Sequence, residues 1–261
     1  MFMSVAFLVV GVLTVFSRTT SHPDFKTIKA ETLNPESRYY YPRLLASFLN
    51  QADTTLTDDE YHYLYYGTMF QDDYNPYRPN RYTSELSATE PLYLKAPETL
   101  TRNEKEQIRS TAELILSDNP FNLRQLSYKV YALDKLQKNN LAKIWRHKLT
   151  HLLSVIFNSG TGVDKEHAFV ITYPSNEIEL FNIFGGVVQG MEFEEPYYEK
   201  VTVVFPQRTE RDSQSGVLPD EAIDAQSRST VLSTKTTDPK VYWFDLHHVL
   251  EQYYEKHPSE K

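Results

Sequence analysis

The chain has 261 residues, of which 40% are hydrophobic and 24% are charged, so it is typical of a globular protein rather than a disordered, collagenous or multi-span membrane protein. It carries 27 Lys and Arg residues against 35 Asp and Glu residues, and this net charge of −8 argues against nucleic acid as a partner, because such binding depends on clustered cations. The absence of cysteine excludes disulfides, thiolate metal sites and a cysteine nucleophile.

The first 16 residues are almost entirely apolar, and Arg18 is the first charged residue. This run is shorter than the roughly 20 residues that span a bilayer, and its length is typical of the hydrophobic region of a secretory signal peptide. No basic residue precedes it, and no clear cleavage motif follows. We therefore expect residues 1–20 to be a signal peptide or an uncleaved N-terminal anchor. Either would place an exported protein in the periplasm or outside the cell, in contact with the membrane only through this segment.

Residues 21–38 are polar without a clear pattern, and we expect a flexible lead-in there. Residues 39–162 are predicted to be mostly helical. Thr57 and Glu60 have the spacing of a capping box, and the helix that they begin is expected to end at Gly67. Thr101 and Glu104 repeat this signal at the start of a second helical block. Between these two regions, the X-Pro steps from 75 to 97 argue against a continuous helix.

Apolar residues at helical spacing predict three helices between 101 and 159, with short turns between them. Asn119 and Pro120 are the expected start of the second of these helices. Short turns favour antiparallel neighbours, as in tetratricopeptide hairpins, although no repeat of 34 residues is present. The chain changes character after Gly162 and is rich in β-branched and aromatic residues.

Strands are predicted near 167–173, 198–205 and 241–246, and a last helix near 247–255. Residues 178–188 fit a kinked strand or a short helix equally well. The polar segment 207–239 is expected to be a long loop. The predicted fold is therefore α+β, in which antiparallel helical hairpins are followed by a small antiparallel sheet at residues 163–261.

Several of these segments resemble a family of exported bacterial proteins, domain-of-unknown-function family 4919. They are the run Leu56–Gly67 with the tyrosines after it, the turn Ser159–Gly162, the strand residues Ala168–Val170 and the late aromatic strand Tyr242–Asp245. The resemblance covers most of the chain from Tyr39 to Leu246. It implies export and a shared fold, and it assigns no catalytic residue.

Ten of the 19 tyrosines lie between Tyr39 and Tyr82. Tyrosine combines apolar area with a hydroxyl group, which suits the binding of a glycan or an envelope protein. Alternatively, tyrosines at helical spacing pack a core. The candidate ligand-binding residues are Tyr61, Tyr65, Tyr66, Tyr74, Tyr77 and Arg78.

Other side chains raise the alternative of a periplasmic hydrolase that uses carboxylates or histidines. His147 and His151 lie four residues apart on a predicted helix, and His167 is a third nitrogen donor nearby in sequence. The glutamate of the H-E-x-x-H zinc motif is absent from this pair. We therefore expect no metal and no cofactor, and a binding or accessory protein rather than an enzyme.

Overall fold

The computed structural model describes residues 20–205 and 238–260, so the predicted signal peptide and nearly all of the predicted loop at 207–239 lie outside the described residues. The α+β fold class is confirmed. The helices with more than one turn within the described ranges are α1 (Phe25–Leu33), α2 (Tyr41–Leu49), α3 (Asp58–Gly67), α4 (Thr83–Tyr93), α5 (Arg102–Asp118), α6 (Leu123–Lys135), α7 (Asn139–Ser159), α8 (Ser175–Ile183) and α9 (His247–Lys256).

Four strands form one sheet in the order β1–β4–β3–β2: β1 (Phe169–Val170), β2 (Val187–Glu194), β3 (Tyr198–Val204) and β4 (Lys240–Asp245). β2 pairs antiparallel with β3, and β3 pairs antiparallel with β4. β1 pairs parallel with β4, so the sheet is mixed, and the prediction of an antiparallel sheet was wrong for this pair. The reason is that β1 and β4 are far apart in sequence, which leaves room for the crossover that parallel neighbours require.

The predicted capping boxes of Thr57 with Glu60 and of Thr101 with Glu104 are both present. Helices α5, α6 and α7 pack in succession as the predicted hairpins. Helix α6 begins three residues later than predicted, because the side chain of Asn122, and not that of Asn119, accepts the hydrogen bond from the first turn. The ambiguous segment after residue 175 forms helix α8.

Two other segments differ from the expectation. The lead-in 21–38 contains helix α1, which is capped by Asp24 and buries Phe25, Ile28 and Thr32 on one face. Helix α4 forms in spite of the X-Pro steps, because Pro91 lies only two residues before its end and removes a hydrogen bond from the last turn alone.

One hydrophobic core joins the helical part to the sheet. It includes residues from α3, α7 and α8 together with Val201 and Val203 of β3 and Phe244 of β4. A smaller cluster lies between α4, α5 and α6. Within residues 20–205 and 238–260, no helix is both long enough and apolar enough to cross a lipid bilayer.

The turn Ser159–Gly162 brings the end of α7 against β1. The backbone N–H groups of Thr161 and Gly162 both donate to the carbonyl oxygen of His167, at 2.9 and 2.7 Å. The hydroxyl of Ser159 accepts a hydrogen bond from the N–H of Val170 at 2.8 Å. Gly162 has a φ of +70°, which favours glycine. This turn therefore places β1 at the edge of β4.

Candidate functional site

The tyrosines that the sequence suggested as a binding surface are mostly buried. The side chains of Tyr61, Tyr65 and Tyr66 have no exposed surface, and that of Tyr74 is 4% exposed. Burial is the main cause that raises the pKa of each of these four hydroxyls. These four residues cannot form an exposed platform, so the core interpretation holds for them.

Three of these hydroxyls bind the segment from the end of β1 to the start of α8. Tyr66 donates to the carbonyl oxygen of Val170 at 3.2 Å, and Tyr74 donates to that of Thr172. Tyr65 donates to the side-chain oxygen of Asn176 at 2.7 Å and accepts from the N–H of Thr172 at 3.3 Å. The tyrosine-rich block thus satisfies buried polar groups between β1 and α8, which otherwise would lack partners.

This arrangement predicts a contrast between two tyrosines of α3. We expect Tyr65→Phe to lower the free energy of unfolding by about 1–3 kcal/mol, because it leaves two buried polar groups unpaired. Tyr61→Phe is the matched control. Its buried hydroxyl has no hydrogen-bond partner among the described residues, so we expect no loss of stability. Urea unfolding of both variants measures the difference, and equal losses would contradict the assignment.

Arg78 fastens the loop after α3 to the end of α5. Its guanidinium lies 2.9 Å from a carboxylate oxygen of Asp118 and 3.2 Å from the carbonyl oxygen of the same residue. Arg78 and Tyr74 line a cleft of about 480 Å³ beside Tyr173. Tyr77 instead lines a neighbouring cleft, so the predicted residues do not converge on one site.

The three histidines do not converge either. The rings of His147 and His151 lie 4.2 Å apart, and Nδ1 of His151 is 2.7 Å from a carboxylate oxygen of Asp58. His167 is paired with Asp164 at 2.7 Å, on the loop after α7. Residues 20–205 and 238–260 contain no group of three or more histidine or acidic side chains that could hold a metal ion.

An acidic and aromatic cleft of about 560 Å³ lies between β2, β3 and α9, and we call it the acidic cleft. Its walls include two exposed aromatic side chains, Tyr77 at 46% and Phe193 at 52% exposure. Glu199 of β3 stands opposite Phe193 in the β2–β3 register, and so lies on the same face of the sheet. The remaining lining residues are Pro174, Glu195, Pro196, Leu246, Leu250 and Tyr254.

Glu177 lies beneath this cleft in the first turn of α8. Its side chain has no exposed surface, and no donor of the described neighbours reaches either of its oxygens. Burial first, and then the nearby charge of Glu199, raise the pKa of Glu177 to about 9. Burial also raises the pKa of Glu199. Glu177 is therefore protonated at neutral pH, and we call Glu177 and Glu199 the carboxyl pair.

The charge of the acidic cleft is not balanced by its own walls. Glu195 and Glu199 line it, Glu177 lies below, and the lining includes no Lys, Arg or His within the described ranges. Tyr77 is close enough to the pair that its pKa is raised, first by burial and then by Tyr254, Glu177 and Glu199. A concave site with perturbed carboxyl groups is the usual form of a small-molecule site.

A larger cleft of about 810 Å³ lies on the other side of α9 and shares Pro196, Leu250 and Tyr254 with the acidic cleft. Its described lining includes Lys26 and Lys29 but no buried acidic residue. We therefore regard the acidic cleft as the candidate functional site.

Comparison with known families agrees with the resemblance noted above. The family model described as Domain of unknown function (DUF4919) matches residues 26–204. The chain belongs to this family. The match includes the tyrosine-rich block, the turn Ser159–Gly162 and both members of the carboxyl pair, and it ends with β3. No curated protein and no solved structure matches the chain.

Of the six candidate residues predicted from the sequence, Tyr77 alone lines the acidic cleft, and the other lining residues were not predicted. Glu177 and Glu199 are 22 positions apart and belong to a helix and a strand, so no local motif joins them. The one available signal was the placement of Glu199 before the alternating valines Val201 and Val203, which indicates an acidic residue on the inward face of a strand.

Proposed function

We propose that this protein is an exported binding protein of the bacterial envelope that holds a small ligand in the acidic cleft. The supporting observation is the pair of exposed aromatic side chains, Tyr77 and Phe193, that line the cleft together with Glu199. Aromatic walls with a few polar groups are typical of sites that bind and orient a small molecule.

A hydrolase is less well supported by the same residues. Two neighbouring carboxyl groups with raised pKa values resemble the acid pairs of some proteases. General acid–base catalysis, however, requires both groups to come within hydrogen-bond reach of the substrate. Glu177 has no exposed surface, and only Glu199 of the pair lines the cleft, so the geometry favours binding over catalysis.

Thermal unfolding tests the binding function. The full-length protein is mixed with the small-molecule fraction of its native envelope, and we expect the melting temperature to rise by about 5 °C if a ligand is present well above its Kd. The double variant Tyr77→Ala, Phe193→Ala should lose this rise. Leu94→Ala is the matched control, because Leu94 is 90% exposed and lies on a different face. An equal rise in all three proteins, or none in the wild type, would overturn the proposal.

Export is part of the same proposal and rests on the apolar run at residues 1–16. Cell fractionation of the full chain, followed by N-terminal sequencing, tests it. We expect recovery outside the cytoplasm, either cleaved near residue 20 or attached to the membrane. Recovery in the cytoplasmic fraction with an intact N-terminus would contradict export.

A further inference from the structure

The acidic cleft contains carboxyl groups whose natural counter-ion is absent from its walls. Glu195 and Glu199 line the cleft, and Glu177 is fully buried with no hydrogen-bond partner among the described residues. A buried acid is normally paired with a cation or with several hydrogen-bond donors. Acidic groups without such partners suit a site for a positively charged ligand.

The walls indicate what kind of cation fits. Tyr77, Phe193 and Tyr254 supply aromatic surface, and Leu246 and Leu250 supply aliphatic surface. Aromatic faces attract organic ammonium groups, and apolar walls bury an alkyl body. A divalent metal ion instead requires several oxygen ligands around one point, and the described residues contain no cluster of three candidate ligands.

We propose that the acidic cleft binds an organic ammonium ion with an alkyl chain, and that the ammonium group lies beside Glu199. This inference rests on the proposed binding function and specifies the ligand class. In the complex, the ammonium donates hydrogen bonds to the Glu199 carboxylate, while the alkyl chain lies against Phe193 and Tyr77. Glu177 is protonated at neutral pH, because burial raises its pKa to about 9, and the positive charge of the ligand favours release of that proton to solvent.

The other groups that face this pair do not supply an alternative proton at neutral pH. Among the described residues that line the cleft with Glu195, none is a Lys, Arg or His. The ring of Tyr77 packs against that of Tyr253 of α9, and burial raises the pKa of its hydroxyl to about 12, so Tyr77 remains protonated. Proton release on ligand binding is therefore assigned to Glu177.

Calorimetry with two probes of equal length tests the ligand class. The full-length protein is titrated at pH 7 with n-hexylammonium and separately with 1-hexanol. We expect hexylammonium to bind about tenfold or more tightly than hexanol, since a charge-assisted hydrogen bond contributes about that factor. Repeating the titration in buffers of different ionisation enthalpy should show close to one proton released per ligand. Calcium chloride is the third probe, and we expect no binding.

Two variants localise the effect. Glu199→Gln should weaken hexylammonium binding about tenfold or more. Glu192→Gln is the matched control, because Glu192 is on the adjacent strand, is paired with Lys200 at 2.7 Å and does not line the cleft. Glu177→Gln, which carries no titratable proton, should abolish proton release even if some binding remains.

Several results would overturn the assignment. Equal binding of hexanol would show an apolar site, and binding of calcium alone would show a metal site. If neither organic probe binds, the ammonium class is wrong, whereas the binding function is judged separately by the envelope extract and the Tyr77 and Phe193 variants. Hexylammonium binding that is unchanged in Glu199→Gln would place the cation elsewhere.

Discussion

Glu177→Gln is expected to make the protein more stable at pH 8 than the wild-type chain, while the two should be nearly equal at pH 4. The pKa of Glu177 is about 9 in the folded protein, against an ordinary value of 4.5. Below pH 4.5 both folded and unfolded chains keep the proton, so its stabilising effect is fully present. As pH rises from 4.5 to 9, the unfolded chain releases the proton first, and stability falls by at most about 1.4 kcal/mol per pH unit.

The glutamine side chain has nearly the same size as the protonated glutamic acid but has no proton to lose. We therefore expect the free energy of unfolding of the variant to exceed that of the wild type by about 2 kcal/mol or more at pH 8. Urea unfolding of both proteins at steps of half a pH unit from pH 4 to pH 9 measures this difference in stability. Glu192→Gln should follow the wild-type curve, because this side chain is 69% exposed. Parallel curves for Glu177→Gln and the wild type would show that Glu177 is ionised.

Gly160→Ala should destabilise the protein severely. A Cβ atom at this position would lie 2.3 Å from the carbonyl oxygen of Ala168 and 2.4 Å from that of His167. Both are backbone atoms, and the His167 oxygen accepts the two hydrogen bonds of the turn Ser159–Gly162, so it cannot move aside without breaking them. We expect a loss of about 3 kcal/mol or more, at the upper end of the range for overpacking.

Gly190→Ala is the control for this substitution. Gly190 lies in edge strand β2, and a Cβ atom there would meet no atom within 4 Å. We expect a change within about 0.5 kcal/mol of the wild type. Chemical denaturation with comparison of m-values checks both variants. Near wild-type stability for Gly160→Ala, or an equal loss for both, would contradict the close approach of β1 to the end of α7.

The parts of the fold that were predictable depend on neighbours in sequence. The boxes of Thr57 with Glu60 and of Thr101 with Glu104 each lie within one turn, and both begin helices at the expected residue. Helix α1 was missed because its buried face holds only Phe25, Ile28 and Thr32, and its partners lie in α3 and beyond. The parallel pairing of β1 with β4 depends on contacts across more than 70 residues, which no local pattern encodes.

The candidate site was less predictable than the fold. The tyrosine spacing of α3 is the same whether the rings face solvent or the core, and only the packing of the 170–176 segment against them decides. Tyr77 was identified, since it follows the helix on an exposed loop. The proximity of Glu177 to Glu199 requires α8 to pack against the sheet, and it therefore follows from tertiary structure alone.

The buried tyrosines and the carboxyl groups of the acidic cleft respond differently to pH. Tyr66 and Tyr74 keep their protons far into the alkaline range, because burial raises the pKa of each well above its usual value. The contact between the helical part and the sheet is thus stabilised by hydroxyl groups that stay neutral in both acid and alkali. Glu177 and Glu199 are the groups whose protonation changes with pH. A change of pH therefore alters the charge of the acidic cleft, while the hydrogen bonds of Tyr66 and Tyr74 stay intact.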